Sequence, residues 1–128
     1  MSIRIVQLGS ERSPGEGVRI GTVRRPPRGV RKERYAKDDW YDVWYPELSP
    51  TPQLMAQGRP SQSESEWRAF ARRFRRQMRE GAASRTLDLL AALSGATNFS
   101  LGCYCEREDR CHRSILRELL KERGANII

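Results

Sequence analysis

The chain has 128 residues, enough for one domain whose core needs neither disulfides nor metals. Its formal net charge is +8, and 31% of its residues are charged. Arginine supplies most of the positive charge, which favours phosphate, nucleotide or other acidic partners over neutral substrates. No segment approaches the ~18 apolar residues of a membrane span, so we expect no membrane partner. An odd number of cysteines and the absence of a leader-like start predict a cytoplasmic protein.

Short runs of β-branched residues predict two strands near the start, over residues 3–8 and 18–23, with a loop over 11–17 between them. A basic loop follows at about residues 24–37. Its prolines exclude a regular helix at the start, so an ordered loop and a disordered basic arm both fit. Trp40 and Trp44 then stand four residues apart, and a helical turn would bring them onto one face. Residues 51–62 contain two more prolines and are expected to cross the surface irregularly.

Two helices are predicted in the second half of the chain. Ser63 and Glu66 form a capping box, followed by an apolar stripe of helical period that ends before Gly81. The stripe consists of Trp67, Phe70, Ala71, Phe74 and Met78. A second helix, capped by Ser84, is expected to turn its apolar residues toward the core, namely Leu87, Leu90 and Leu93.

The C-terminal part predicts a buried strand over residues 97–104 and a helix over 109–123 that Asp109 caps. Residues 125–128 are expected to add a short edge strand. This order of strands and helices predicts a single α/β domain over residues 1–128, with a small, mainly parallel sheet flanked by helices. In such sheets ligands bind outside the carboxyl ends of the strands.

The junction between that last strand and helix contains all three cysteines, Cys103, Cys105 and Cys111, together with the only histidine, His112. Backbone N–H groups and the positive end of a helix dipole converge at such a junction. The sequence therefore predicts a site there without specifying a reaction.

Residues 17–30, which contain Pro-Pro-Arg-Gly, and residues 101–120, which contain Cys-His-Arg-Ser, resemble two motifs of the YeaO-like family, bacterial domain of unknown function 488. The Trp and Phe of residues 67–74 are similar to a helix of the same family. Residues 24–26 depart from the family pattern, which commonly has an acidic residue and a Trp there. The resemblance implies an α/β fold, and it implies that five candidate site residues lie near one another: Arg28, Cys111, His112, Arg113 and Ser114.

The first interpretation of the junction is an anion site for phosphate, a nucleotide or a carboxylate. Arg113 and Arg28 would hold the anion, with Ser114 and Arg24 as further ligand-binding candidates. The backbone amides of residues 110–112 would cradle the same anion at the helix start.

Two alternatives use the cysteines. Cys103, Cys105, Cys111 and His112 are ligands of the kind that zinc takes, although their spacing is not that of usual zinc motifs. We expect no cofactor unless this zinc interpretation holds. The other alternative is an enzyme in which Cys111, Cys105 or His112 is the catalytic group, since a helix start and nearby arginines favour a thiolate. The sequence leaves open whether the chain is an enzyme.

The basic loop and the arginines of the helix that starts near Ser63 raise one more alternative, nonspecific binding of nucleic acid. Candidates to stack on unpaired bases would then be Trp40, Tyr41, Trp44 and Tyr45. The sequence contains no helix-turn-helix, zinc-finger or RNA-recognition signature.

Overall fold

The computed structural model of the chain describes residues 1–57 and 63–128. Its centre is a four-stranded sheet with the order β1-β4-β2-β3, in which every strand pair is parallel. The strands are β1 (Ile3–Gln7), β2 (Val18–Gly21), β3 (Val43–Trp44) and β4 (Phe99–Cys103). The α/β fold with a small, mainly parallel sheet is thus confirmed.

The third strand replaces the helical turn that the spacing of Trp40 and Trp44 predicts. Val43 and Trp44 pair with β2, and the Tyr45 amide donates to the Gly21 carbonyl at 2.9 Å. Gly21 allows this pairing because the Tyr41 ring lies against its α-carbon, where any side chain would collide. Sheet pairing and ring packing therefore override the i, i+4 spacing.

Four α-helices connect and cover the strands in the described part of the chain. They are α1 (Pro52–Gln57), α2 (Glu64–Met78), α3 (Gly81–Leu93) and α4 (His112–Glu122). The capping box of α2 is present, with the Glu66 amide donating to the Ser63 hydroxyl and the Ser63 amide donating to the Glu66 carboxylate. Phe70, Phe74 and Met78 of its stripe are buried. None of the described helices is both long and apolar enough to span a membrane.

Three predicted boundaries are wrong. Residues 52–57 form α1 instead of irregular chain, because Pro52 occupies the first helical turn, where a proline is tolerated, and the Thr51 hydroxyl accepts from the Leu54 amide. Residues 58–62 lie outside the described residues. The helix α3 begins at Gly81 with Glu80 as its N-cap instead of Ser84. Asp109 does not cap α4, which begins three residues later with Cys111 at the N-cap.

Two smaller expectations also need correction. Leu93 does not face the core, since 39% of it is exposed. The expected edge strand at residues 125–128 is reduced to one parallel bridge between Ile127 and Ile3. The chain turns after α4 at Gly124, which has a φ of +78° that suits glycine.

The two faces of the sheet differ in chemistry. On one face Ile3 and Leu101 join Phe74, Leu116 and Leu120 in the main apolar core, and all five are buried. Because successive strand residues point to opposite faces, Ser100 of β4 lies on the other face. There its hydroxyl donates to Glu16, which is paired with Arg19 of β2. The helices therefore pack on a hydrocarbon face, while the second face contains a buried ion pair.

Candidate functional site

A cavity of about 920 Å³ lies at the carboxyl ends of the parallel strands, the edge where the sequence predicts a ligand. We call it the arginine cavity. The segments that follow β1, β2 and β4 form part of the wall of this cavity. Its lining residues are Gln7, Leu8, Arg24, Arg25, Pro26, Pro27, Arg28, Trp40, Trp44 and Tyr104. These include three arginines and, among the described residues, no carboxylate.

Hydrogen bonds from three sides hold the start of the arginine loop, residues 24–28. The Arg24 guanidinium donates to the carbonyls of Ser49 at 2.9 Å and Pro50 at 3.1 Å. The Trp44 indole donates to the Val23 carbonyl at 2.8 Å. The Tyr104 hydroxyl donates to the Arg25 carbonyl at 2.8 Å. The backbone that presents the arginines is therefore fixed by the loop's own Arg24 and by Trp44 and Tyr104 from neighbouring elements.

Two arginines of this loop, Arg25 and Arg28, are free to bind a ligand. Both are exposed, and no hydrogen bond or ion pair with any residue of the described ranges engages either guanidinium. Arg24, in contrast, already uses two nitrogens on backbone carbonyls. The predicted candidates Arg24 and Arg28 thus line one cavity, together with Arg25, which the sequence analysis did not single out.

Aromatic side chains form the other walls of the arginine cavity. Trp40 and Tyr104 meet edge to face, with ring centroids 5.9 Å apart. Trp44 is 44% exposed, although its indole nitrogen is hydrogen-bonded. Trp40 and Trp44 both line this cavity, and a turn at Asp39 with a φ of +62° and strand β3, instead of the predicted helical turn, bring them there. Flat apolar surfaces therefore stand beside free guanidinium groups.

A second cavity, of about 460 Å³, lies next to the first, because Arg24, Arg25 and Tyr104 line both. We call it the thiol cavity, since Cys103, Cys105 and His112 also line it. The third cysteine, Cys111, is buried behind them. We call these four residues, three cysteines and one histidine, the thiol cluster.

The structure brings the donor atoms of the thiol cluster together. The sulfur atoms of Cys103 and Cys105 are 3.9 Å apart, and the Cys111 sulfur is 3.8 Å from Nδ1 of His112. The donor atoms of Cys103, Cys111 and His112 all lie within 4.8 Å of one another. No disulfide links the cysteines. This Cys/His cluster could bind a metal ion, as the donor set of the sequence suggests.

The His112 ring is held in one tautomer. Its Nε2 lies 2.6 Å from the Thr22 carbonyl oxygen, which can only accept, so Nε2 carries the proton. Nδ1 is then left with its lone pair on the side of the thiols. Phe74 packs edge-on at 5.5 Å, and burial lowers the pKa of His112 to about 4. The ring is therefore neutral near pH 7.

The three thiols share their protons unequally. Hydrogen bonding with Cys103, and then with Cys111, lowers the pKa of Cys105, and the positive charge of Arg113 acts in the same direction. The same contact with Cys105 raises the pKa of Cys103 to about 11, and the contact with Cys103 raises that of Cys111. Cys105 is also the one partly exposed thiol of the three. The cluster therefore favours the thiolate form at Cys105, the thiol that borders the thiol cavity.

Arg113 is buried behind the strand ends. Only 4% of it is exposed, and its guanidinium donates to the carbonyls of Val6 and Cys103 at 3.1 Å each and of Glu106 at 3.4 Å. Its Nε is buried without a partner among the described residues. These bonds tie the ends of β1 and β4 to α4. The side chain lines neither the arginine cavity nor the thiol cavity.

The start of α4 differs from the predicted cradle. The amides of residues 110 and 111 already donate to the carbonyls of Arg107 and Glu108 in a short 3₁₀ turn, so they are not free for an anion. Asp109 pairs with Arg107 at 2.7 Å. Ser114 donates to the Cys111 carbonyl and borders a separate hollow beside Trp67. Arg28 and Ser114 therefore do not meet in one cavity.

Sequence reasoning missed two contributors to these sites. Tyr104 lies at the end of β4 and lines both cavities, which its position beside the cysteines could have indicated. Arg25 looks like any other residue of the basic loop, and only the fold shows that it faces a cavity. The buried pair of Glu16 and Arg19 was also missed, because an arginine inside a strand pattern normally indicates an exposed face.

A parallel sheet covered by helices, with two adjoining cavities at its carboxyl edge, defines a small α/β protein. The chain belongs to the DUF488 family: the family model DUF488-N3a, described as the active DUF488-N3 subclade, matches residues 3–124. The resemblance to the YeaO-like family is thus confirmed over nearly the whole chain. No curated protein and no solved structure matches it.

Proposed function

We propose that this protein binds a small anionic ligand with a planar ring, by class a nucleotide, in the arginine cavity. The observation that supports this most strongly is the pair of unpartnered guanidinium groups, Arg25 and Arg28, beside aromatic walls. Guanidinium groups pair with phosphate oxygens in a bidentate way. Aromatic rings stack on nucleobases without requiring one particular base. The guanidinium groups would therefore bind the phosphate of a nucleotide, and the aromatic walls would stack on its base.

The dimensions of the arginine cavity are consistent with such a ligand. Its volume of about 920 Å³ falls within the range of ~300–1,000 Å³ typical of small-molecule sites. Because the lining carries arginines and no described carboxylate, its potential has one sign, which concentrates anions from solution. The anchored loop also lowers the entropy cost of binding, since its backbone does not have to order on contact with the ligand.

The site proposed here differs from the cradle that the sequence analysis favours. Its anion ligands are Arg25 and Arg28, with Arg24 and Tyr104 fixing the loop. Arg113 contributes by holding the strand ends in place, and the amides of residues 110 and 111, which already donate to backbone carbonyls, take no part. Ser114 is left out because it borders another hollow.

The test is a fluorescence titration in a Trp67→Phe background, in which only the two tryptophans of the cavity remain. Adenosine monophosphate is expected to quench this signal in a saturable way. Adenosine and inorganic phosphate, which each offer half of the interactions, are expected to bind at least ~10-fold more weakly. Equal affinity for phosphate and the nucleotide would show that the aromatic walls contribute nothing.

Two arginine variants separate a specific site from general attraction. Arg28→Ala should weaken nucleotide binding by about 10-fold or more, because a hydrogen bond to a charged group contributes about 1.5–3 kcal/mol. The matched control is Arg31→Ala, which removes the same charge from an exposed position of the longer basic loop, outside the cavity. Similar losses in both variants would refute the site.

A cysteine- or histidine-dependent reaction stays a prediction. The description of the subclade as active supports it, and Cys105 is the thiol that borders the thiol cavity. His112 is poorly suited to act as a base near pH 7, because its ring is enclosed and its pKa is lowered to about 4. Nonspecific binding of nucleic acid also stays a prediction.

A further inference from the structure

The thiol cluster has a donor set that the nucleotide site does not use. Cys103 ends β4, Cys105 follows two residues later, and Cys111 and His112 stand at the N-cap and first position of α4. Three soft sulfur atoms and one imidazole match the Cys₃His set of structural zinc sites. No disulfide links the three cysteines, so all three sulfur atoms are available as ligands.

The distances agree with three corners of a tetrahedron, formed by Cys103, Cys111 and His112. Cys105 lies 3.9 Å from Cys103 outside this compact group and must turn inward to become the fourth ligand. Zinc–sulfur bonds of about 2.3 Å place two sulfur ligands about 3.8 Å apart at a tetrahedral angle. The Cys103–Cys105 separation of 3.9 Å and the Cys111–His112 separation of 3.8 Å each correspond to one edge of such a tetrahedron. The limit of 4.8 Å among Cys103, Cys111 and His112 leaves only a small contraction for a metal to produce.

The backbone resolves the difficulty of adjacent ligands at positions 111 and 112. Cys111 is extended, with a φ of −125° and a ψ of 147°, while His112 begins the helix. This change of conformation between neighbours brings the Cys111 sulfur and the His112 ring to the same point. Two consecutive residues within one regular helix or strand would point in different directions.

The surroundings of His112 are those of a metal ligand. A ligating histidine usually donates its second ring N–H to a carbonyl or carboxylate, which fixes the tautomer and orients the ring. Here Nε2 donates to the Thr22 carbonyl at 2.6 Å, and Nδ1 faces the sulfur atoms. The outer support of a metal site is therefore in place directly after β2, which neighbours β4.

A nearby positive charge offsets the charge of such a site. Zinc with three thiolates and a neutral imidazole carries one net negative charge. Arg113 is buried next to the cluster, donates to the Cys103 carbonyl, and has a buried Nε without a partner among the described residues. A buried guanidinium without a carboxylate partner is costly unless a negative group stands nearby.

We infer that Cys103, Cys111 and His112, with Cys105 turning inward from the thiol cavity as the fourth ligand, bind one zinc ion in a tetrahedral, structural site. This site joins the end of β4 to the start of α4 and so braces residues 104–110, including Tyr104, at the border of both cavities. The inference does not depend on the nucleotide proposal, because the two sites share no ligand.

Metal analysis of the full chain tests this inference. The protein is purified with a phosphine reductant and without chelator, and zinc and protein are then quantified. About one equivalent of zinc per chain is expected. After removal of zinc, cobalt is expected to restore the thiolate charge-transfer and tetrahedral d–d absorption bands. Less than about a tenth of an equivalent of zinc, together with no tetrahedral cobalt spectrum, would overturn the site.

Variants then test the fourth ligand. Cys105→Ser changes the one partly exposed cysteine and should lower zinc affinity by at least ~100-fold, since even an outer-shell change can cost that much. Ser114→Ala is the control, because this hydroxyl lies three residues from Cys111 and is not a ligand. Unchanged zinc affinity in Cys105→Ser would refute the four-ligand site. If a variant does not fold, the cobalt spectrum of the unmodified chain still tests the site, because its absorption bands report whether thiolates bind the metal in tetrahedral geometry.

Discussion

Replacing Glu16 with Gln removes the negative partner of a buried arginine while keeping the size of the side chain. One carboxylate oxygen of Glu16 accepts from Arg19 Nε at 2.8 Å and from the Ser100 hydroxyl at 2.6 Å. The other accepts from Arg19 Nη2 and from the Ser13 amide at 3.1 Å each. Arg19 is fully buried and Glu16 is 3% exposed. The variant therefore leaves the buried guanidinium without its directly paired carboxylate, and only Asp42, which accepts from the Arg19 backbone amide, remains as a nearby negative charge.

The structure sets the size of this effect. Removing one partner of a buried ion pair typically costs about 3–5 kcal/mol. For a chain of this length the loss corresponds to a fall in Tm of roughly 10–20 °C. The remaining bonds from Arg19 to the Ser10 and Asp39 carbonyls do not replace the lost charge. Glu16→Gln should therefore fold only marginally at physiological temperature.

The same pair predicts an acid dependence. Burial alone would raise the pKa of Glu16, but hydrogen bonds from Arg19, Ser100 and the Ser13 amide outweigh it and lower the pKa from 4.5 to about 2. A carboxyl with a lowered folded-state pKa stabilises the fold above its unfolded pKa, and this stabilisation is lost as the pH falls through the folded-state value. The native chain should therefore lose about 3 kcal/mol from this group between pH 4.5 and pH 2.

Urea denaturation at pH 7 and pH 3 measures both effects. The control is Glu11→Gln, an exposed acid with no described ion pair, which should change the free energy of unfolding by less than about 0.5 kcal/mol. A loss below about 1 kcal/mol for Glu16→Gln at pH 7 would refute the role of the buried pair. So would the same acid sensitivity in the native chain and in Glu16→Gln.

Three further outcomes can be measured directly. Arg113→Lys keeps the charge but loses the forked donors to the strand-end carbonyls, so it should lower the free energy of unfolding by about 2–4 kcal/mol in urea; an unchanged midpoint would contradict this role. Tyr104→Phe loses the bond to the Arg25 carbonyl and should weaken binding of adenosine monophosphate about 3- to 10-fold by titration, with an unchanged Tm; full affinity would show that the loop needs no such anchor. Any affinity for single-stranded nucleic acid should fall steeply between low and high salt, and a salt-independent affinity would exclude charge as its source.

Local patterns predicted the elements whose signals depend on neighbours along the chain. The capping box and stripe of α2 and the β-branched runs of β1 and β2 needed only residues a few positions apart. Pro52 was misread because proline interrupts a helix at most positions but suits its first turn. The strand β3 could not be read at all, since its two residues owe their conformation to pairing with β2.

The candidate site also has a part that could be predicted from neighbouring residues and a part that depends on distant contacts. That cysteines and histidine cluster follows from their closeness in sequence, and the structure places them together. Which arginine is free depends on contacts far along the chain. Arg113 reaches Val6 over 107 positions, and Arg24 reaches carbonyls 25 and 26 positions away. The sequence alone does not show that Arg113 and Arg24 differ from Arg25 and Arg28. The difference appears only in the fold, where the first two are hydrogen-bonded to distant carbonyls.

The most direct test of the proposed nucleotide site uses the side-chain N–H signals of the three tryptophans in an NMR titration of the native chain. Trp40 and Trp44 line the arginine cavity, while Trp67 stacks on Phe70 at 5.1 Å in α2 and serves as an internal control. Adenosine monophosphate should shift the signals of Trp40 and Trp44 in a saturable way and leave that of Trp67 in place. Three unmoved signals at saturating nucleotide, or equal shifts of all three, would contradict a ligand site at this edge of the sheet.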